Sequence, residues 1–162
     1  MTLRIFPVSG GARFADDYNQ DTTRGRRHDG NDLFSAEGTP LLAVDDGNVR
    51  YGTDGLGGNV VNLKANDGVR YYYAHLSGFE GTNRPVKAGE VLGYMGHTGN
   101  AANTPTHLHF EVHPGGGEAI DPFPALNASQ RRQAGSKSRL TPLILAAAVG
   151  TGIWWYSRRK KR

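Results

Sequence analysis

An all-β domain of short strands, followed by an apolar C-terminal segment long enough to span a membrane, is the architecture this sequence predicts. Three observations predict it. Glycine supplies 23 of 162 residues, well above the ordinary ~7% and without a collagen-like period, which implies many tight turns between short extended segments. Runs of β-branched and aromatic residues recur between turn signals, whereas no stretch before residue 140 shows a helical apolar period and no internal repeat is present. Leu140–Tyr156 then reads LTPLILAAAVGTGIWWY without a single charge.

In chain order, strands are expected at Thr39–Val44, Gly47–Tyr51, Asn59–Leu63, Val69–Ala74, Val91–Met95 and His107–Val112. Their connections, DDG, TDGLGG, NDG and KAGE, hold residues that tolerate positive φ or close a turn. These elements define a domain at 1–126. Residues 127–139, NASQRRQAGSKSR, are polar, small and non-periodic, so a flexible linker is expected there. Residues 140–162 read as a transmembrane helix with a basic C-terminal tail. The apolar run is at the short end of the ~17–25 residues that cross hydrocarbon. Trp154, Trp155 and Tyr156 stand where interfacial aromatics belong, and Pro142 falls near a helix start. Lys137 and Arg139 precede the run and Arg158, Arg159, Lys160, Lys161 and Arg162 follow it, so a cytoplasmic C-terminus is favoured only slightly. The opening MTLRIFPVSG has no long apolar core, and no signal peptide is expected.

Composition removes whole classes of function. With no cysteine, the chain carries no disulfide scaffold, thiolate metal site or cysteine nucleophile. Any metal must therefore take nitrogen and oxygen ligands. The formal charge of +4 is unevenly spread: residues 1–130 hold 10 Lys and Arg against 15 Asp and Glu, and residues 131–162 hold 9 cations and no acid. The basic balance belongs to the tail, where cations flanking an apolar run suit lipid headgroups, and no nucleic-acid partner is expected.

Three segments carry candidate chemistry. In His28-Asp29-Gly30-Asn31-Asp32 an imidazole and a carboxylate four residues apart can converge on one cation, although the same letters also describe an ordinary solvated turn. In His107-Leu108-His109-Phe110-Glu111-Val112, strict alternation puts His107, His109 and Glu111 on one face and the apolar residues on the other. In Val69–Leu76 a strand of high β propensity ends at His75. Tyr71, Tyr72 and Tyr73 alternate faces, so some of them face the core and some a groove. His97 and His113 sit in Gly/Pro-rich loops and read as surface histidines. Spacing alone does not say which of His107 and His109 would meet a metal.

In order along the chain, HDGND with GTPLLAV, YYYAHLS, KAGEVLGYMGHTGN, THLHFEV and IDPFPAL resemble the M23 zinc metallopeptidases, the LytM-type or lysostaphin-type endopeptidases, over roughly residues 25–126. The resemblance implies a small antiparallel β-sheet metallopeptidase core with one Zn2+ per chain in a groove. It further implies His28, Asp32 and His109 as metal ligands and His75 and His107 as catalytic histidines, their two roles undivided. Two departures stand out: Thr104-Pro105-Thr106 precedes His107 where the family often has Gly-Pro, and Tyr18 is only a candidate for an upstream tyrosine found in some members.

The implied function is hydrolysis of peptide bonds in bacterial peptidoglycan, with stem or cross-bridge peptides as substrate and a lipid bilayer as partner of the C-terminal helix. The alternative is a catalytically inactive LytM-like cell-wall-binding or regulatory module. The expected setting is membrane-anchored, with the catalytic domain facing the cell wall, in either a bacterial envelope or a bacteriophage virion active in entry or exit. Ordinary imidazole chemistry would put an acid limb of activity around pH ~6–6.5.

Overall fold

The computed structural model describes residues 1–22 and 25–150, with side chains described as far as Ser136. Among these residues the turn-rich sequence forms strands β1 (Asn31–Phe34), β2 (Pro40–Leu42), β3 (Gly47–Asp54), β4 (Gly58–Ala65), β5 (Arg70–Leu76), β6 (Gly78–Phe79), β7 (Arg84–Val86), β8 (Val91–Tyr94) and β9 (His107–His113), then helix α1 (Phe123–Gly150). A six-stranded sheet has the order β1-β9-β5-β4-β3-β7 and a three-stranded sheet the order β2-β8-β6. Their strand pairings are antiparallel. Each expected strand is present within a few residues of its expected bounds. The strands β1, β6 and β7 were not expected: at four, two and three residues they are too short to display alternation.

The alternation in β9 is realised as two unlike faces. Leu108, Phe110 and Val112 are fully buried and pack with Leu33 of β1, Leu41 of β2, Tyr71 and Tyr73 of β5 and Leu92 of β8 in the core between the sheets. Burying a side chain of this size contributes about 1.5–3 kcal/mol. The Tyr73 hydroxyl is not orphaned in that core, because it donates to Leu42 O (3.1 Å) and accepts from Val44 N–H (3.1 Å), tying the two sheets together. The opposite face of β9 is left free for polar groups.

Helix α1 starts where the Asp121 carboxylate accepts the Phe123 N–H (2.8 Å), satisfying one of the helix's unpaired donors. It continues through residues 127–139, where the sequence suggested a flexible linker. Tertiary contacts account for the difference: Ala125, Leu126 and Ser129 are buried, Gln130 pairs with both backbone groups of Ala12 (2.8 and 3.1 Å), and Arg132 donates to Leu3 O (2.6 Å). The packed domain thus extends past residue 126, with the helix clasping the N-terminal segment. Among the described residues no helix is long and apolar enough to cross a membrane. The expected span at 140–162 lies largely outside them, since residues 151–162 are not described and the side chains of 137–150 are not either.

Candidate active site

Strand register decides which histidine meets the first motif. In the antiparallel β1–β9 pair Asp32 stands opposite His109 and Phe34 opposite His107, and directly opposed residues project to the same face. On the other side of β9, Ala74 of β5 faces His109, so only a methyl group competes for that space. His28 reaches the same point from the turn before β1. Gly30 permits this close passage, because a Cβ there would collide with the Phe110 carbonyl.

The three donor atoms form a small triangle: His28 Nε2 to His109 Nδ1 is 2.9 Å, His109 Nδ1 to Asp32 Oδ1 is 3.1 Å and His28 Nε2 to Asp32 Oδ1 is 3.2 Å. Ligand atoms around a tetrahedral centre with bonds of ~2.0–2.1 Å lie about 3.3 Å apart, so the spacing suits zinc. The proton inventory suits it as well. His28 Nδ1 donates to Asp17 O (2.9 Å), and His109 Nε2 donates to Glu111 Oε1 (2.9 Å). In neutral imidazoles the two facing nitrogens therefore bear lone pairs, aimed with a carboxylate oxygen at one spot. Three converging acceptors repel unless a cation or proton stands among them. The group is suited to hold a metal ion.

The titration behaviour has the same origin. Burial penalises the charged forms, yet hydrogen bonds and charge from Asp32 outweigh it and raise the His28 pKa. His109, buried but paired with both Asp32 and Glu111, is pushed up to about 9. Burial would raise the Asp32 carboxyl, but hydrogen bonds from His109 and His28 hold it far below the usual carboxylate range.

Beside this corner stand His75 and His107, with ring centroids 4.9 Å apart and both nearly buried. His75 ends β5 with φ of 69°, a left-handed conformation that strains a residue bearing a Cβ by about 1–3 kcal/mol. The surroundings enforce it: His75 N–H donates to Gly57 O (2.7 Å), and ring Nδ1 donates to Thr98 O (2.9 Å). Thr98 can reach this place because its neighbour Gly99 lies against Leu56 and Gly58 with no room for a side chain. His107 Nδ1 donates to Pro105 O (2.8 Å), so the Thr104-Pro105-Thr106 entry supplies a carbonyl to this ring. Both histidines thus carry hydrogen on Nδ1 and leave Nε2 as the basic atom. His107 Nε2 lies 3.8 Å from Asp32 Oδ2. Burial, reinforced by the nearby His107 and His109, lowers His75 to about 4.

All five histidine and aspartate residues singled out in the sequence line one open groove of about 650 Å³. Of the tyrosine run, Tyr72 lines it and donates to Asp54 Oδ2 (2.7 Å), whereas Tyr71 and Tyr73 belong to the core. Tyr18 instead donates to Ala119 O (2.7 Å) and is not part of the groove wall. His97 is partly exposed, 3.9 Å from Glu37. His113 corrects the sequence reading: it is no surface residue but 8% exposed, closing β9 with Nδ1 on Gly117 O (2.8 Å) and Nε2 on Glu111 Oε2 (2.6 Å). The alternation that places His107, His109 and Glu111 on one face runs on to His113, and following it two residues further would have found that residue.

Residues 26–122 match the domain model of peptidase family M23. Over 135 residues, 79% of this chain and 31% of the relative, the sequence is 40% identical to the DD-carboxypeptidase/endopeptidase Mpg of Neisseria meningitidis serogroup B. The chain spans about a third of the length of such curated relatives. The catalytic domain of lysostaphin from Staphylococcus simulans superposes with a TM-score of 0.65 at 34% identity, over 72% of this chain and 92% of that one. A zinc-containing peptidase from Vibrio cholerae gives a TM-score of 0.64 at 25% identity, over 78% of this chain and 40% of that one. With a domain match over more than half its length and a groove built from the residues of that match, the chain belongs to peptidase family M23.

Proposed function

We propose that this chain is a zinc-dependent endopeptidase that hydrolyses peptide bonds of bacterial peptidoglycan. One observation carries the reading: three converging acceptor atoms, from His28, Asp32 and His109, lie in the same groove as two histidines whose Nε2 atoms are free. Three protein ligands leave an open position, the pattern of a catalytic rather than a structural zinc site. When bound, zinc supplies a Lewis acid that polarises an amide carbonyl and lowers the pKa of water. His75 and His107 supply the rest. Each has a basic Nε2 with its tautomer fixed by a backbone carbonyl, so one can accept the proton of the attacking water and the other can hydrogen-bond the developing oxyanion or protonate the departing amine. The depressed His75 pKa favours the neutral, proton-accepting form at physiological pH.

Relatives named for endopeptidase activity, among them Mpg and the glycyl-glycine endopeptidase ALE-1 of Staphylococcus capitis, support the substrate class. The uncharged run at 140–156 with its flanking cations supports retention at a lipid bilayer, in a bacterial envelope or a phage virion. Digestion of purified peptidoglycan with and without a chelator, the fragments identified by mass, tests the proposal. Release of peptide fragments that ceases on chelation and returns with zinc is expected. Bound zinc with no fragment released would favour a binding module instead.

A further inference from the structure

The geometry points to Glu111 as a positioning residue that fixes the tautomer and orientation of His109 toward the metal, with His113 as its buttress; this rests on the zinc reading above. Glu111 and His113 continue the polar face of β9 beyond the residues that meet in the triangle. Glu111 Oε1 receives the His109 Nε2–H at 2.9 Å, and Oε2 meets His113 Nε2 at 2.6 Å. His113 is anchored in turn, because its Nδ1–H is taken by Gly117 O at 2.8 Å in the tight turn after β9. Glu111 is only 15% exposed and His113 10% at the side chain, so water does not readily replace either partner.

The consequence follows from the two-nitrogen chemistry of imidazole. A neutral His109 has one proton for two nitrogens, and only the tautomer with hydrogen on Nε2 leaves the Nδ1 lone pair facing Asp32 and His28. An acceptor held at Nε2 keeps hydrogen on that nitrogen, so the proton an arriving ion displaces is the one on Nδ1, and it prevents ring rotation. His28 is served by the carbonyl of Asp17. His109, which emerges from the middle of a strand paired on both sides, uses a side chain for the same task.

Zinc affinity of the full chain, measured by competition with a chromophoric chelator, tests this. Loss of such an outer partner weakens metal binding by about 10–100-fold, and that is expected for Glu111→Ala. Glu111→Gln is the discriminating variant: its amide oxygen can accept from His109 Nε2–H while its NH2 donates to a neutral His113, so binding within about threefold of wild type is expected. A role resting on negative charge alone would leave Gln as poor as Ala. In zinc-loaded protein labelled with 15N-histidine, His109 should show a proton on Nε2 in the wild type and in the Gln variant. Unchanged affinity in Glu111→Ala, or Gln as weak as Ala, overturns the inference. Should the Ala variant fail to fold, a wild-type His109 without a proton on Nε2 overturns it equally. Failure of the wild type to bind zinc would instead strike the zinc reading itself.

Discussion

Three histidines of one groove are driven in opposite directions. His28 and His109, at the β1–β9 corner, stand against carboxylates and have raised pKa values, His109 up to about 9. His75, at the end of β5, is equally enclosed but hydrogen-bonds a carbonyl and faces other imidazoles, and it falls to about 4. Burial acts in the same direction on all three, so partners decide the outcome. An acceptor triangle attracts a cation, whereas a neutral imidazole with a fixed Nδ1–H is ready to take a proton. On the proposed reading, metal binding and proton transfer are thereby separated within a few ångströms.

Breaking one corner at a time gives the largest expected effects. Asp32→Ala should reduce zinc content from near one per chain toward zero and abolish cleavage. His107→Ala should leave zinc content near one while cutting turnover by about 10²–10⁴-fold, the usual worth of a general acid or base. Metal analysis beside peptidoglycan digestion reads both, and equal zinc loss in the two variants would erase the division.

Acidity sharpens the comparison next. His109 keeps its proton up to about 9 without metal, so a proton must leave for zinc to bind, and apparent affinity should fall about tenfold for each pH unit below that value. The same raised pKa stabilises the metal-free fold fully below the ordinary imidazole value of ~6.5, and this contribution is lost as pH rises through about 9. Thermal melts of metal-free chain should therefore decline across that interval, and melts of zinc-loaded chain should not.

His75 predicts the opposite limit. Its base form persists down to about pH 4, so the acid limb expected from ordinary imidazole near pH ~6–6.5 should follow zinc loss. Excess zinc should move that limb to lower pH in a digestion profile; a limb insensitive to zinc would assign it to a histidine base after all. The smallest effect is expected for Tyr72→Phe. It removes a hydrogen bond to Asp54 at the groove wall, worth about 0.5–1.5 kcal/mol, and should change cleavage by less than tenfold with zinc content unaltered.

Residues His28, Asp32, His75, His107 and His109 were all legible as candidates, because histidine two apart on an alternating strand and His-x-x-x-Asp across a turn are local patterns. Choosing His109 over His107 required the family resemblance, since β1, the strand that presents Asp32, is too short to announce itself. Glu111 was visible as a neighbour on the same face but had no assigned task, and His113 was read as a surface residue. Their roles depend on a 2.6 Å contact at a strand end and on a carbonyl four residues later. The segment at 127–139 shows the same limit: nothing in its own letters is apolar enough to mark a packed helix, and its partners Ala12 and Leu3 lie more than a hundred residues away.

By itself the sequence determined the strand periods, the turn positions, the exclusion of thiolate chemistry and the identity of the groups able to meet a metal. These follow from side-chain type and from spacing along a single stretch of chain. Tertiary structure decided which acceptor faces which, because antiparallel register sets Asp32 against His109 and Phe34 against His107, and a slip of one residue would have turned the carboxylate into the core. It also decided the protonation preferences. An imidazole takes its pKa and tautomer from the atoms packed around it, and for these histidines those atoms come largely from other segments of the chain.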